Sequence, residues 1–323
     1  MTTSVASAAG LGSLPPQLHR PHPLHGDEVD WPETNCYVDL FIEVLHALDL
    51  DPVAALPFLV ACDFDGEQWE FFKYPAADLF TLWGIDVREF NVWRPVAEHI
   101  ERHLALGRLL TVEVDSYFLP DTHGTAYRTE HQKTTVAPIF IDRRRGVLHY
   151  FHNRGLFALD GDDYDGILGS GAPLLAPYCE LIVTDHLRRP EPAALRAVAD
   201  QLVREWLPRR PATNPISRMA AAIEADLPWL EAEPERFAGY AFGTLRQCGA
   251  WAGLTAVLAD WLERPTLQPA TAAFRAISDQ AKVCQFKLAR RARGRAADLS
   301  EQLVPMAQQW EYGIDAFVGT YGA

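Results

Sequence analysis

Cys36 is the one cysteine of the five that stands at the start of a long predicted helix, directly after Thr34 and Asn35, either of which can cap it. A thiol there feels the positive end of the helix dipole and unpaired amide donors, and both favour thiolate. That chemistry suits a nucleophile, and the amide of Cys36 can help to bind an oxyanion. The competing reading is a small buried hydrophobe, which the sequence favours for Cys62, Cys179, Cys248 and Cys284. A cysteine nucleophile needs a base, and His131 opens a β-rich run after a polar loop. A base needs an orienter, and Asn153 closes the next β run, with Asp142 and His152 as neighbouring alternatives. If 133–141 and 147–151 form a hairpin, His131 and Asn153 share its open end.

These residues must be positioned by elements, and the first of these is a helix from Cys36. Leu40, Phe41, Val44, Leu45 and Leu48 give it an apolar stripe, and Asp51-Pro52 ends it. Helices are also predicted over 53–62, 75–83 and 94–106, with short strands at 70–73 and 85–90. Three β-rich runs follow at 109–114, 133–141 and 147–151. Beyond residue 190 the spacing is helical, with segments at 192–206, 214–226, 234–262, 270–292 and 296–318. The acidic stretch from Asp160 to Gly166 reads as a surface turn. Residues 1–30, with His19, His22 and His25 among prolines, read as a flexible leader, because prolines prevent a helix that would gather the three rings.

Composition bounds the answer. The chain has 323 residues, 48% of them hydrophobic, which is ample for a core and excludes a disordered chain. No apolar run spans a bilayer, and the N-terminal residues carry no secretory pattern, so a cytoplasmic protein with reduced thiols is expected. The net charge of −14 argues against nucleic-acid binding by phosphate neutralisation. Residues 1–185 hold 28 acidic and 12 basic side chains, whereas 186–323 hold 15 and 17. With the prolines at 190 and 192, this places domains at 31–188 (α+β) and 189–323 (a helical bundle) after the leader.

The runs Asn35-Cys36-Tyr37-Val38-Asp39-Leu40, Asp115-Ser116-Tyr117-Phe118-Leu119-Pro120-Asp121, His123-Gly124-Thr125-Ala126-Tyr127, Glu130-His131-Gln132-Lys133 and Tyr150-Phe151-His152-Asn153 resemble a bacterial domain-of-unknown-function family over most of the chain. Their order is more distantly similar to the butirosin-biosynthesis acyltransferases, which have a papain-like fold related to bacteriocin-processing peptidases. That resemblance implies a papain-like cysteine fold, with N-terminal helices packed on an antiparallel sheet. It also implies transfer of an (amino)acyl group from the phosphopantetheine thioester of an aminoacylated acyl carrier protein to an amine. Cys36 would be the nucleophile, His131 the base and Asn153 the orienter. Asn35, Asp115, Tyr117, His123 and Tyr127 would bind substrate or the oxyanion. No tightly bound cofactor is implied, since the phosphopantetheine travels on the partner. Neither a nucleic acid nor a membrane is an expected partner. The sequence departs from papain-like enzymes where they carry a glutamine before the cysteine: Asp30 stands there. The basic stretch with Arg290, Arg291 and Arg293 suits an acidic carrier or a phosphate. The alternatives are a thioesterase or amide hydrolase of the same fold, a metal-dependent hydrolase using His123, Glu130, His131, His149, His152, Asp115 and Asp121, and a non-catalytic binding protein.

Overall fold

The computed structural model describes residues 8–26, 29–169 and 175–322. The chain divides into two compact units. One comprises 1–26, 35–52 and 75–190, the other 27–34, 53–74 and 191–323. The expected boundary near 188 is therefore crossed twice, because 27–34 and 53–74 belong with the C-terminal helices.

The first unit is built on a six-stranded sheet in the order β1-β6-β2-β3-β4-β5. The strands are β1 (Asp86–Glu89), β2 (Leu109–Asp115), β3 (Lys133–Asp142), β4 (Val147–His152), β5 (Gly155–Asp160) and β6 (Cys179–Val183). Every neighbouring pair is antiparallel. The helices are α1 (Cys36–Ala47), α2 (Ala76–Trp83), α3 (Val96–Ala105) and α4 (Gly161–Leu168). Strand alternation sends Val112, Val114, Val136, Leu148, Tyr150, Cys179 and Leu181 into one core, with Ile100 of α3 and Tyr164 and Ile167 of α4. The opposite face carries Thr111, Glu113, Asp115, Lys133, Thr135 and Glu180, and α1 packs against β3 and β4. The sheet and helices make the unit α+β, as expected. The stretch expected as an acidic turn is α4, whose Asp162 and Asp163 lie in the first turn, where the helix dipole favours carboxylates.

The leader departs from expectation. Its first seven residues lie outside the described ones, but from Leu11 onward it is packed on the unit. Short 3₁₀ turns at Ala8–Ser13, Pro16–Leu18 and Pro23–His25 replace the helix that its prolines forbid. Leu11, Leu24 and His25 are buried. As a result α1 is buried on nearly every side from Tyr37 to Leu45, including Asp39 and Glu43.

Gly84 ends α2 in the left-handed region at φ 71°, and a Cβ there would lie 2.2 Å from the carbonyl oxygen of His186. Gly84→Ala is therefore expected to cost about 2–4 kcal/mol by urea unfolding, because it adds a backbone clash to the left-handed penalty.

The second unit is helical: α5 (Pro192–Trp206), α6 (Pro215–Ala232), α7 (Phe237–Ala241), α8 (Gln247–Trp261), α9 (Gln268–Arg291) and α10 (Ser300–Tyr321). A π-helical turn, Phe242–Arg246, links α7 to α8. Residues 53–62 form two 3₁₀ turns instead of the expected helix, and no strand forms at 70–73. Trp69, Trp251 and Phe274 centre its core. No helix among the described residues is long and apolar enough to cross a membrane.

Candidate functional site

Cys36 is the first residue of α1. The Asn35 side chain accepts from the amides of Tyr37 and Val38 at 3.1 and 3.0 Å, so the cap takes the second and third donors of the helix. The amide of Cys36 itself remains, among the described residues, the first donor without a partner. Its thiol is half-buried and points at Thr135 of β3, with Sγ 4.0 Å from Oγ1. Beside it the Tyr37 hydroxyl donates to Glu180 at 2.5 Å, and Tyr178 donates to the same carboxylate at 2.9 Å. Burial, aided by Glu180, pushes the Tyr37 phenol far up, so it stays a donor. The other four thiols are buried, and burial raises their pKa, to about 12 for Cys179 and Cys284. Cys36 alone is accessible for chemistry.

His131 precedes β3. Its Nδ1–H donates to Asp115 Oδ2 at 2.6 Å, and its ring stacks on Tyr117 at 4.3 Å. The other oxygen of Asp115 accepts from the Tyr117 amide at 3.0 Å. The carboxylate thereby fixes the ring, with Nε2 left on a side chain 68% exposed. This corrects the expected orienter. Asn153 lies at φ 44° in the two-residue turn between β4 and β5, and it makes no hydrogen bond to His131. The physical reason is register. Lys133 pairs with Asp115 across β2 and β3, which brings the residue two before Lys133 beside the end of β2. Ala137 pairs with Phe151, and continuing that register sets Asn153 level with Thr135, four residues along the chain from His131.

Cys36 and His131 are not hydrogen-bonded to each other. Both lie on the sheet face that carries Thr135, Lys133 and Glu113. Thr135 and His131 are four residues apart, roughly 13 Å of extended chain. The Lys133–Glu113 pair stands between them, at 2.9 Å. The site is therefore a row: thiol, hydroxyl, ion pair, then the Asp115–His131 dyad.

The remaining expected residues scatter. Tyr127 donates to Asp163 at 2.9 Å, and Arg128 pairs with the same carboxylate. His123 is exposed, with no side-chain partner among the described residues. Asp142 accepts from the amides of Arg144 and Arg145, so it serves a turn. In the second unit Arg291 pairs with Glu231, Arg290 reaches the Ala296 carbonyl, and Arg293 is exposed. The histidines and carboxylates weighed for a metal do not converge: no group of three suitable ligands forms among the described residues.

Sequence reasoning missed a second network on the core face of the sheet. Buried His152 meets Asp121 through Nδ1 at 2.5 Å and the Thr134 hydroxyl through Nε2 at 2.8 Å. Tyr150 donates to the other oxygen of Asp121 at 2.5 Å. Asp121 belongs to the loop between β2 and β3, so this network fastens to the sheet the loop that ends in His131. Strand alternation was the available signal, since Thr134, Tyr150 and His152 are all even-numbered and opposite in parity to Thr135.

A family model described as the DUF1839 N-terminal domain matches residues 20–184, and one described as the DUF1839 C-terminal domain matches 169–318. The chain belongs to the DUF1839 family. This bears out the resemblance to a family of unknown function. No curated protein matches the chain. The two family segments meet within 169–184, close to the composition boundary at 185.

Proposed function

We propose that this DUF1839 protein is a cysteine-dependent acyltransferase with a papain-like arrangement. It accepts an (amino)acyl group on Cys36 from a carrier-protein phosphopantetheine thioester and passes it to an amine. The observation that carries this reading is the accessible thiol at the capped start of buried α1, on the sheet face that also holds the Asp115–His131 dyad. The Cys36 thiolate attacks the thioester carbonyl and the unpartnered Cys36 amide receives the oxyanion. As the carbonyl re-forms, the carbon–sulfur bond to pantetheine breaks, and the pantetheine leaves as a thiolate that takes its proton from water. Thioesters are activated donors, so this step makes less demand on a base than amide cleavage. The acceptor arrives as an ammonium, which the carboxylates of Glu113 and Asp115 suit. His131 Nε2, at the far end of the row from the thiol, takes a proton from that ammonium as it enters. The free amine then moves along the row to attack the acyl-enzyme, and its second proton leaves with the Cys36 thiol. Arg290 and Arg293 are candidate contacts for an acidic carrier.

Incubation with an aminoacyl-pantetheine thioester should add one acyl mass to the wild type and none to Cys36→Ala, by intact-protein mass spectrometry. His131→Ala should still form the adduct but release it to an amine more slowly. Equal labelling of Cys36→Ala would overturn the mechanism.

Thr135 standing beside the thiol, where a base would otherwise be, favours a second reading: a thioester-binding protein that does not turn over. It requires binding of the thioester without any adduct. Thr135→His would place an imidazole against Sγ and is expected to speed Cys36 alkylation at pH 7 by roughly tenfold. The pH dependence of iodoacetamide labelling reads this directly.

A further inference from the structure

We propose that residues 11–26 form a pH-operated clamp on α1, closed near neutral pH and released by acid and by alkali. The clamp is independent of acyl transfer.

The geometry is a buried ionic cluster between the N-terminal segment and the back of the helix that starts at Cys36. Glu43 is fully buried, yet it accepts from three groups of the segment: His19 Nε2 at 2.5 Å, His25 Nδ1 at 2.5 Å and the His22 amide at 3.0 Å. The other nitrogen of His25 faces Asp39, one turn earlier on α1, at 3.5 Å. Asp39 and Glu43 are four residues apart, so one helix face presents two carboxylates to one imidazole. The His22 ring packs edge-on to His46 of α1 at 5.1 Å, and Asp51 also acts on it. His19 is wedged between His46 and Phe151 of β4. Leu11 and Leu24 are the apolar anchors. Glu43 can be buried as an anion only while the segment supplies positive charge and donors, and the segment is held largely by what it supplies.

Three groups set the pH window. Burial lowers His25, but the hydrogen bonds to Asp39 and Glu43 outweigh it and raise the ring to about 9. Its contribution to docking is complete below the free value of 6.5 and is lost as pH rises through about 9. Burial raises Glu43, but His19 and His25 outweigh it and hold the carboxyl at about 2, so its contribution is lost only as pH falls from 4.5 towards 2. Burial, with His46 adding positive charge, lowers His22 to about 4, so the docked ring is neutral. That contribution is complete above 6.5 and is lost as pH falls towards 4. Taken together, docking should be weakened about a hundredfold between pH 7 and 4, and roughly fiftyfold between pH 7 and 9.5. The acid limb belongs mainly to His22 and the alkaline limb to His25.

The test is hydrogen exchange on the full chain in the Cys36→Ala background, read as protection of the amides of His25 and Gly26 after correction for intrinsic exchange. Protection is expected to peak near pH 7 and fall on both sides. His22→Phe should flatten the acid limb and leave the alkaline one. Protection that is level from pH 4 to 9.5, or an acid loss unchanged in His22→Phe, would overturn the clamp. Should that variant fold poorly, ring-proton NMR of the wild type decides the matter. His22 titrating near 4 and His25 near 9 supports the clamp, and both titrating near 6.5 refutes it.

Discussion

Glu43→Ala should destabilise the unit that carries α1 by about 3–5 kcal/mol at pH 7, a loss of roughly 10 °C in its Tm. The carboxylate is fully buried and is the common acceptor for His19, His25 and the His22 amide. Its removal leaves a protonated His25 facing Asp39 alone and takes the acceptor from a second imidazole. The cavity left by the side chain adds to the cost. Glu43→Gln keeps the volume but loses the charge, and its amide nitrogen meets one of the two imidazoles as a donor instead of an acceptor, so a smaller loss is expected. The pH dependence distinguishes this account from simple loss of packing. The wild type gains from the elevated His25 only while that ring stays protonated, so the difference between wild type and variant should shrink above pH 9. Urea unfolding at pH 7 and 9.5 measures it. A loss below 1 kcal/mol, or one equal at both pH values, would refute the assignment.

That cluster was only half legible in the sequence. The apolar stripe of α1 is evident from Leu40, Phe41, Val44, Leu45 and Leu48. The same periodicity assigns Asp39 and Glu43 to the opposite face, where solvent is the default. Nothing local says that a proline-rich segment some twenty residues earlier will cover that face. Prolines exclude a helix that gathers the three histidines, but not successive 3₁₀ turns that deliver them one at a time. Strands show the same limit. β2, β3 and β4 were recognisable as apolar, β-branched runs. β6, Cys-Glu-Leu-Ile-Val, is buried along its whole length and carries no alternating exposed positions to announce it. β5, Gly-Leu-Phe-Ala-Leu-Asp, begins straight after a two-residue turn and contains no β-branched residue.

The site divides in the same manner. Cys36 was legible because a cap followed by an apolar stripe is a local pattern. The partner of His131 was not, because it is decided by which strand lies alongside. Hairpin reasoning looked forward to β4 and found Asn153, but β3 is also paired with β2, and the end of β2 supplies Asp115. The Asp-x-Tyr pattern then takes on a physical meaning. Asp115 binds the ring through one oxygen and the Tyr117 amide through the other, and Tyr117 provides the surface on which the ring stacks.

Asp121→Ala is the second change with a large expected effect. Asp121 is the buried acceptor for both the Tyr150 hydroxyl and His152 Nδ1. Burial and the Asp121 charge hold the Tyr150 phenol protonated, so it needs an acceptor. Truncation strands two buried donors at once, for about 3–5 kcal/mol, and Asp121→Asn should cost less, since its carbonyl still serves one of them. The functional consequence lies beyond stability. Asp121 sits in the loop between Tyr117 and His131, so releasing it frees the stacking surface and the dyad together. In the folded variant, below its unfolding temperature, acylation of Cys36 by an aminoacyl thioester should persist, because α1 and its cap are untouched. Release of the acyl group to an amine should fall towards the level of His131→Ala, and its pH profile should lose the limb due to His131. If release is unaffected at a temperature where the variant is fully folded, the Asp121–His152 network serves stability alone, and the loop orders the dyad without it.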